Sequence, residues 1–161
     1  MPAKPSAGLL LYRASHDTVE VMLVHMGGPF WKHKDDGAWS IPKGEYEQSE
    51  DPLAAARREF AEETGLVPPT GEPIGLGELK QRSGKLIRAW AVEADLDVSA
   101  IRSNSFKMEW PRGSGGVQEF PEVDRAGWFD LRAARKKLVK GQTPFLEALT
   151  RRLVERNRTP A

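Results

Sequence analysis

The chain of 161 residues contains no cysteine. Disulfide bonds, zinc–thiolate sites, iron–sulfur clusters and a cysteine nucleophile are therefore excluded. Long apolar runs are also missing near the start, where the run from Leu9 to Tyr12 is far shorter than the roughly 20 residues of a membrane-spanning helix. Residues 1–6 lack the apolar segment of a secretory signal. We expect a soluble protein of the cytoplasm, a reducing compartment, without a membrane partner.

Net charge is small as well, because 24 basic and 23 acidic residues leave a formal charge of +1. A near-zero sum argues against a uniformly basic nucleic-acid binder, so nucleic acid is not the expected partner. The sum hides an asymmetry: residues 131–161 hold 9 basic and 2 acidic side chains, whereas residues 1–130 hold 15 and 21. The basic segment is interpreted as the outer face of amphipathic helices or, alternatively, as a surface for an anionic partner.

The pattern of apolar, glycine and proline residues predicts a loose tail at residues 1–6 and one domain over residues 7–161. The predicted strands are residues 7–12, 18–25, 74–80 and 85–95, with short extended pieces at 39–42 and 127–129. The predicted helices are residues 52–64, 131–139 and 144–157. Residues 26–37 and 99–125 are predicted as loops. This order of elements predicts an α/β (α+β) fold in which helices cover a mixed sheet.

The helix at residues 52–64 carries the clearest local signals. Asp51 suits the N-cap position, and Pro52 suits the first helical position, where its missing N–H costs nothing. Gly65 suits the left-handed residue that ends a helix. The two ends of this helix are therefore predicted from local sequence alone.

Three carboxylates crowd one side of this helix. Glu59, Glu62 and Glu63 stand at i, i+3 and i+4, so they are neighbours, and like charges at this spacing repel each other. The pattern indicates either a solvated acidic face or a site for a hard divalent cation. Mg²⁺ or Mn²⁺ would be the expected cation, because both prefer oxygen ligands.

The segment from Gly44 to Leu66 resembles the Nudix box, G-x5-E-x7-R-E-U-x-E-E-x-G-U, in which U is apolar. Every defined position matches, and the matching residues are Gly44, Glu50, Arg58, Glu59, Phe60, Glu62, Glu63, Gly65 and Leu66. The resemblance implies a Nudix-like α/β/α sandwich with a central mixed β-sheet. It also implies hydrolysis of a nucleoside diphosphate linked to another moiety, with Mg²⁺ or Mn²⁺ as the cofactor.

The same resemblance implies roles for individual residues. Arg58 would orient Glu59 through a charge-assisted hydrogen bond, and Glu50 would support this network or a second metal. The expected metal ligands are three carboxylates and one backbone carbonyl: Glu59, Glu62, Glu63 and Gly44. Divalent ions would offset the repulsion between an acidic site and a polyanionic diphosphate, and they would activate a water molecule.

Two further acids are candidates because many Nudix enzymes use a glutamate from a distal loop as a metal ligand or general base. Glu119 and Glu122 lie in such a segment, just before Trp128 and Phe129. The alternative interpretation of each is a solvent-exposed loop acid. The sequence does not decide between these two residues and a glutamate of the box as the general base.

Candidate substrate contacts lie outside the helix. The aromatic candidates for stacking on a base are Trp31, Trp39 and Trp110. The basic candidates for contact with substrate are Lys43 and Arg112. The alternative interpretations are core aromatic residues and solvated basic side chains.

The expected function is Mg²⁺-dependent hydrolysis of the diphosphate linkage in dinucleoside polyphosphates or nucleoside triphosphates. Nucleotide sugars, diphosphoinositols and 8-oxo-purine nucleotides remain alternative substrates. A Nudix domain that binds nucleotide or RNA without catalysis is the alternative of another class. The sequence does not indicate whether the chain is a monomer or a homodimer.

Overall fold

A mixed sheet of seven strands forms the centre of the computed structural model, which describes residues 4–15 and 17–158. Strand β1 (Ser6–Ser15) lies between β2 (Thr18–Met26), its antiparallel neighbour, and β6 (Leu86–Glu93), its parallel neighbour. The remaining strands are β3 (Trp39–Ser40) and β9 (Val123–Asp130) on β2, β4 (Lys43–Glu45) on β1, and β5 (Ile74–Lys80) on β6. The mixed sheet confirms the predicted fold class.

The two faces of the sheet are covered by different helices. These are α1 (Pro52–Thr64), α2 (Leu131–Lys137) and α3 (Pro144–Arg158). Leu9 and Leu11 of β1 point to one face and pack in a cluster with Phe60 of α1. Leu10 points to the opposite face and packs in a cluster with Phe145 of α3. The alternation of β1 side chains thus fills both helix–sheet interfaces, as expected for a strand buried on both faces.

Helix α1 has the ends that the local sequence predicts. The Asp51 side chain accepts a hydrogen bond from the backbone N–H of Ala54 at 3.0 Å. At the other end Gly65 has a φ of +71°, and its N–H donates to the carbonyl of Ala61 at 2.8 Å. Ala56 and Phe60 are buried against the sheet, so the opposite side of α1 is free to present charged residues.

The prediction that residues 99–125 form a loop is wrong. It contains a hairpin of β7 (Ser105–Glu109) and β8 (Val117–Pro121), which forms a separate two-stranded sheet. The short strand predicted at residues 127–129 is part of the longer β9. The hairpin is anchored by distant contacts, since the ring of Phe106 packs against the backbone of Gly28. The seven residues between β7 and β8 include three glycines and a proline, which hide the strand pattern.

The tail predicted at residues 1–6 is also wrong at its end, because Ser6 is fully buried and begins β1. The carbonyl of Pro5 accepts a hydrogen bond from the N–H of Tyr46 at 3.0 Å. Lys4 forms an ion pair with Glu47. Residues 1–3 lie outside the described residues. No helix in the described ranges is both long and apolar enough to cross a membrane.

Candidate active site

Arg58 holds the acidic side of α1 together. Its Nε and Nη2 donate to the two carboxylate oxygens of Glu50 at 2.7 and 3.1 Å. Its Nη1 donates to Glu59 at 2.8 Å and to Glu62 at 3.3 Å. The hydrogen bonds from Arg58 lower the pKa of Glu50, and the bond to Glu50 raises the pKa of Arg58 itself. One guanidinium therefore fixes three carboxylates, as its planar fork of donors permits.

Glu59 lies against the backbone of Gly44. A Cβ at position 44 would lie 1.9 Å from Oε2 of Glu59, far inside any allowed contact. The side chain of Glu59 is only 14% exposed, and burial raises its pKa. Glycine at position 44 therefore creates the space in which this carboxylate sits beside β4.

Glu63 lies deeper than the other two box carboxylates. Its Oε2 accepts a hydrogen bond from the backbone N–H of Lys43 at 3.2 Å, and burial raises its pKa to about 8. Burial lowers the pKa of the Lys43 ammonium nearby. Burial and the charge of Glu62 raise the pKa of Glu122. Four carboxylates from α1 and the β8–β9 turn thus act on one another electrostatically.

A divalent cation fits this donor set, because Mg²⁺ and Mn²⁺ take oxygen ligands and relieve repulsion between carboxylates. The space beside Gly44 that the Glu59 carboxylate occupies is also consistent with a cation bound at this point. Within residues 4–15 and 17–158, no three acidic or histidine side chains already enclose a common point. Glu59 is bonded to Arg58 and Glu63 to the Lys43 backbone, so binding would require these carboxylates to turn.

Two clefts open beside the carboxylates. The first, which we call the box cleft, has a volume of about 270 Å³ and is lined by Trp31, Lys43, Glu63, Phe106 and Glu122, among others. The second, the hairpin cleft, has a volume of about 370 Å³ and is lined by Gly28, Lys32, Trp110, Gln118, Phe120 and Asp124, among others. The two clefts adjoin each other. Gly27 and Glu122 line the box cleft, and their chain neighbours Gly28 and Pro121 line the hairpin cleft.

The sequence placed Trp39 among the candidate base platforms, and the structure corrects this prediction. Trp39 is 5% exposed and packs edge-on against His25 and Phe129. Its indole N–H donates to Asp35 at 2.8 Å. The ring is therefore a core residue with no face available to a ligand, whereas Trp31 and Trp110 do line the clefts.

The two candidate loop acids have different positions. Glu122 lines the box cleft with Glu63, and its carbonyl accepts a hydrogen bond from the N–H of Gly27 at 2.9 Å. Glu119 pairs with Lys107 across the hairpin and is exposed. Because Gln118 and Phe120 line the hairpin cleft, strand alternation turns Glu119 to the other side. Arg112 is exposed near the hairpin tip, 5.7 Å from the ring of Phe30.

Sequence reasoning missed several residues of this region, three of which show why. Phe106 lines the box cleft, Asp124 lines the hairpin cleft, and buried His25 bonds to Asp124. The alternation of Phe106 and Met108 with polar residues is a strand signal that could have revealed β7. His25 and Asp124 meet only because β2 pairs with β9, and no local pattern shows this pairing.

Comparison with known proteins identifies the family. A family model described as the NUDIX domain matches residues 2–149. The chain therefore belongs to the NUDIX family.

Among curated proteins, the chain is 29% identical to an 8-oxo-(d)GTP phosphatase of Mycolicibacterium smegmatis, over 94% of this chain and 41% of that protein. It is 34% identical to an RNA pyrophosphohydrolase of Roseobacter denitrificans, over 46% of this chain and 41% of that protein. The aligned part of the chain thus spans about two fifths of each relative.

Two solved structures share the fold. A C. elegans Ap4A hydrolase in a binary complex matches with a TM-score of 0.65 and 21% identity, over 93% of this chain and 98% of that chain. The NUDIX domain of Shewanella oneidensis NrtR complexed with ADP ribose matches with a TM-score of 0.63 and 17% identity, over 95% of this chain and 90% of that chain. At these identities the likeness is one of fold alone.

Proposed function

We propose that this chain is a divalent-cation-dependent pyrophosphohydrolase that cleaves the diphosphate linkage of nucleotide-type substrates. Dinucleoside polyphosphates and nucleoside triphosphates are the leading substrate classes. The observation that carries the proposal is that Arg58 holds Glu59 and Glu62 on the same side of α1 as Glu63, which lines the box cleft with Glu122. A relative named 8-oxo-(d)GTP phosphatase and another named RNA pyrophosphohydrolase support hydrolysis of phosphoanhydride bonds.

The metal ligands proposed here are three carboxylates and one backbone carbonyl: Glu59, Glu62, Glu63 and Gly44. A bound Mg²⁺ or Mn²⁺ would neutralise the phosphate charge, polarise the phosphoryl oxygens and lower the pKa of a bound water. Arg58 keeps the carboxylates of Glu59 and Glu62 oriented, and Glu50 keeps Arg58 in place through its two hydrogen bonds. Because Glu50 holds Arg58, the guanidinium stays in place when Glu59 turns toward the cation, which limits the reorganisation that the transition state requires.

Glu122 is our proposed general base. It lines the box cleft opposite α1, and burial with the nearby charge of Glu62 raises its pKa, which favours proton uptake. Lys43 lines the same cleft and provides a cation for the phosphates. Glu119 stays away from both clefts, so we assign it no catalytic role.

The first experiment is a substrate panel. The purified chain is incubated with dinucleoside polyphosphates, nucleoside triphosphates, 8-oxo-purine nucleotides, nucleotide sugars, 5′-triphosphorylated RNA and a diphosphoinositol. Each reaction contains Mg²⁺, Mn²⁺ or EDTA, and products are separated by ion-exchange chromatography. We expect metal-dependent cleavage of a dinucleoside polyphosphate or a nucleoside triphosphate. Tight nucleotide binding without any product would instead support the alternative of a non-catalytic binding domain.

The second experiment removes single charges. Glu62→Gln or Glu63→Gln removes one negative charge with little change in volume, and we expect turnover to fall by several orders of magnitude while the fold persists. Glu78→Gln, at an exposed position of the edge strand β5, is the matched control. Circular dichroism reports the fold, and Mn²⁺ titration followed by electron paramagnetic resonance reports metal binding. Unchanged turnover, or unfolding of both variants, would contradict the assigned role.

A related pair of variants tests the general base. Glu122→Gln is expected to lower turnover by roughly 10²–10⁴-fold, the usual range for loss of an acid–base group. Glu119→Gln removes the same charge three residues away and outside the clefts. Greater damage from Glu119→Gln than from Glu122→Gln would show that the assignment to Glu122 is wrong.

The finer properties of the protein are extensions of this proposal. A cytoplasmic location and a small-molecule nucleotide partner are predictions from the sequence. Location is tested by fractionating cells of the source organism. Equilibrium sedimentation of the purified chain tests whether it is a monomer or a homodimer.

A further inference from the structure

The hairpin cleft adjoins the box cleft through shared backbone. Gly27 and Gly28 are consecutive, as are Pro121 and Glu122, and one member of each pair lines each cleft. The N–H of Gly27 bonds to the carbonyl of Glu122, which ties the two segments together. The hairpin cleft is therefore within reach of a ligand whose phosphates lie beside Glu63 and Glu122.

Aromatic side chains give this second cleft walls suited to a flat ring. Trp110 and Phe120 line it, and Trp110 is held by an edge-to-face contact with Phe30 at 5.4 Å between ring centroids. The volume of about 370 Å³ falls within the range of roughly 300–1,000 Å³ that is usual for small-molecule sites. A heteroaromatic base is an occupant of the right shape, because bases stack well on aromatic side chains.

The polar groups of the hairpin cleft are mostly acceptors. The carboxylate of Asp124 can only accept while it is ionised. The Nε2 of Gln118 donates to the carbonyl of Trp110 at 2.9 Å, so the oxygen of this amide is the end not tied to Trp110. Lys32 is an exposed donor that lines the same cleft. The cleft thus offers acceptors together with one cation.

Asp124 is held in place by a fully buried histidine. Nδ1 of His25 lies 2.8 Å from Oδ1 of Asp124, and Nε2 lies 2.6 Å from the carbonyl of Lys34. The imidazole thus bridges the Asp124 carboxylate and the Lys34 carbonyl, with one ring nitrogen beside each. His25 is 0% exposed and packs edge-on against Trp39, which fixes its plane. The position of the Asp124 carboxylate is therefore set before any ligand binds, which favours selective recognition.

We propose that the hairpin cleft binds the base of the substrate and that Asp124 selects a guanine-type edge. Guanine presents two adjacent donors, N1–H and the 2-amino group, which a carboxylate accepts together. Its O6 is an acceptor that suits Lys32. Adenine and cytosine have a ring-nitrogen acceptor beside their single amino group. The lone pair of that ring nitrogen would face an oxygen of the Asp124 carboxylate, and two acceptors repel each other. The inference rests on the proposed function, because it takes the phosphates to lie in the box cleft.

Binding of nucleoside monophosphates tests the inference without any need for turnover. Affinities of the full chain for GMP, IMP and AMP are measured by isothermal titration calorimetry. We expect GMP to bind at least tenfold more tightly than AMP. IMP, which keeps N1–H but lacks the 2-amino group, is expected to lie between them. Equal affinities for GMP and AMP would overturn the inference.

The variant Asp124→Asn changes one acceptor to a donor while it keeps an oxygen for His25. We expect the preference for GMP over AMP to fall roughly ten- to hundredfold, because one guanine donor would then face the new amide N–H₂ and the two-bond contact would be lost. Glu78→Gln is the matched control, since it makes the same chemical change on the opposite edge of the sheet. An unchanged preference in folded Asp124→Asn would overturn the inference.

A second variant keeps the test decisive if Asp124→Asn does not fold. Lys32 is exposed, so the variant Lys32→Gln is expected to fold. We expect it to bind GMP several-fold more weakly and to bind AMP with unchanged affinity. Equal weakening of GMP binding and AMP binding would contradict the assigned edge.

The two proposals can fail separately. Guanine-selective binding without hydrolysis of any diphosphate would refute the proposed function alone. Hydrolysis of GTP and ATP with equal kcat/KM and equal binding would refute the base assignment alone.

Discussion

The substitution Gly44→Ala separates the geometry of the site from the stability of the fold. The new Cβ would lie 1.9 Å from Oε2 of Glu59, whereas ordinary contacts begin at 3.4 Å, so the carboxylate must move by about 1.5 Å. Glu59 can move because its carboxylate is the end of a flexible side chain. Gly44 has no positive φ, so alanine introduces no backbone strain at this position.

The expected result is a large loss of activity in a folded protein. A displacement of about 1 Å in a catalytic group can cost roughly 100-fold in rate, so we expect kcat/KM to fall at least 100-fold. The free energy of unfolding should change by less than about 1 kcal/mol, since alanine also lowers the entropy of the unfolded chain. Steady-state kinetics on the substrate found in the panel and urea denaturation provide the two measurements.

The control for this substitution is Gly75→Ala on β5. A Cβ there meets nothing within 4 Å, and Gly75 also has no positive φ. A double-mutant cycle adds Glu59→Gln to Gly44→Ala. If Gly44 acts through Glu59, the double variant should lose little more activity than either single variant. Full activity in folded Gly44→Ala, or additive losses in the cycle, would refute the reasoning.

Two further predictions concern residues that support the clefts from the core. Trp39→Ala removes a large buried side chain and should lower the free energy of unfolding by about 3–5 kcal/mol, measured by urea denaturation. A loss below about 1 kcal/mol would contradict the place of Trp39 in the core. Gln142→Leu should cost about 1–3 kcal/mol in the same assay, since the N–H of Ile41 would lose its bond to the Gln142 side chain; a neutral effect would show that this buried amide has another partner.

The parts of the fold predicted correctly are those that local sequence determines. Helix α1 matches the prediction from its first residue to its last, because Asp51, Pro52 and Gly65 act within one turn of its ends. The box residues were identified by their resemblance to the Nudix box. The helix places Glu59, Glu62 and Glu63 on one side without help from the rest of the chain.

The parts that were missed depend on contacts between distant segments. Trp39 is buried because β3, β2 and β9 bring His25 and Phe129 to it, and nothing beside Trp39 in the sequence shows this. Glu119 and Glu122 could not be ranked, since their difference depends on where β8 ends. The hairpin pairing and the position of Asp124 were missed for the same reason.

The separation of β7 and β8 from the main sheet has a consequence for divergence within this architecture. The hairpin is a two-stranded sheet of its own, whereas the box residues are built on β4 and α1, packed against β1. Mutations at the hairpin tip can reshape the hairpin cleft without disturbing the pairing of the central strands. Under the proposed base assignment, changes at Trp110 or Phe120 can therefore alter the fit of the base, while Asp124 on β9 and the box residues stay in place.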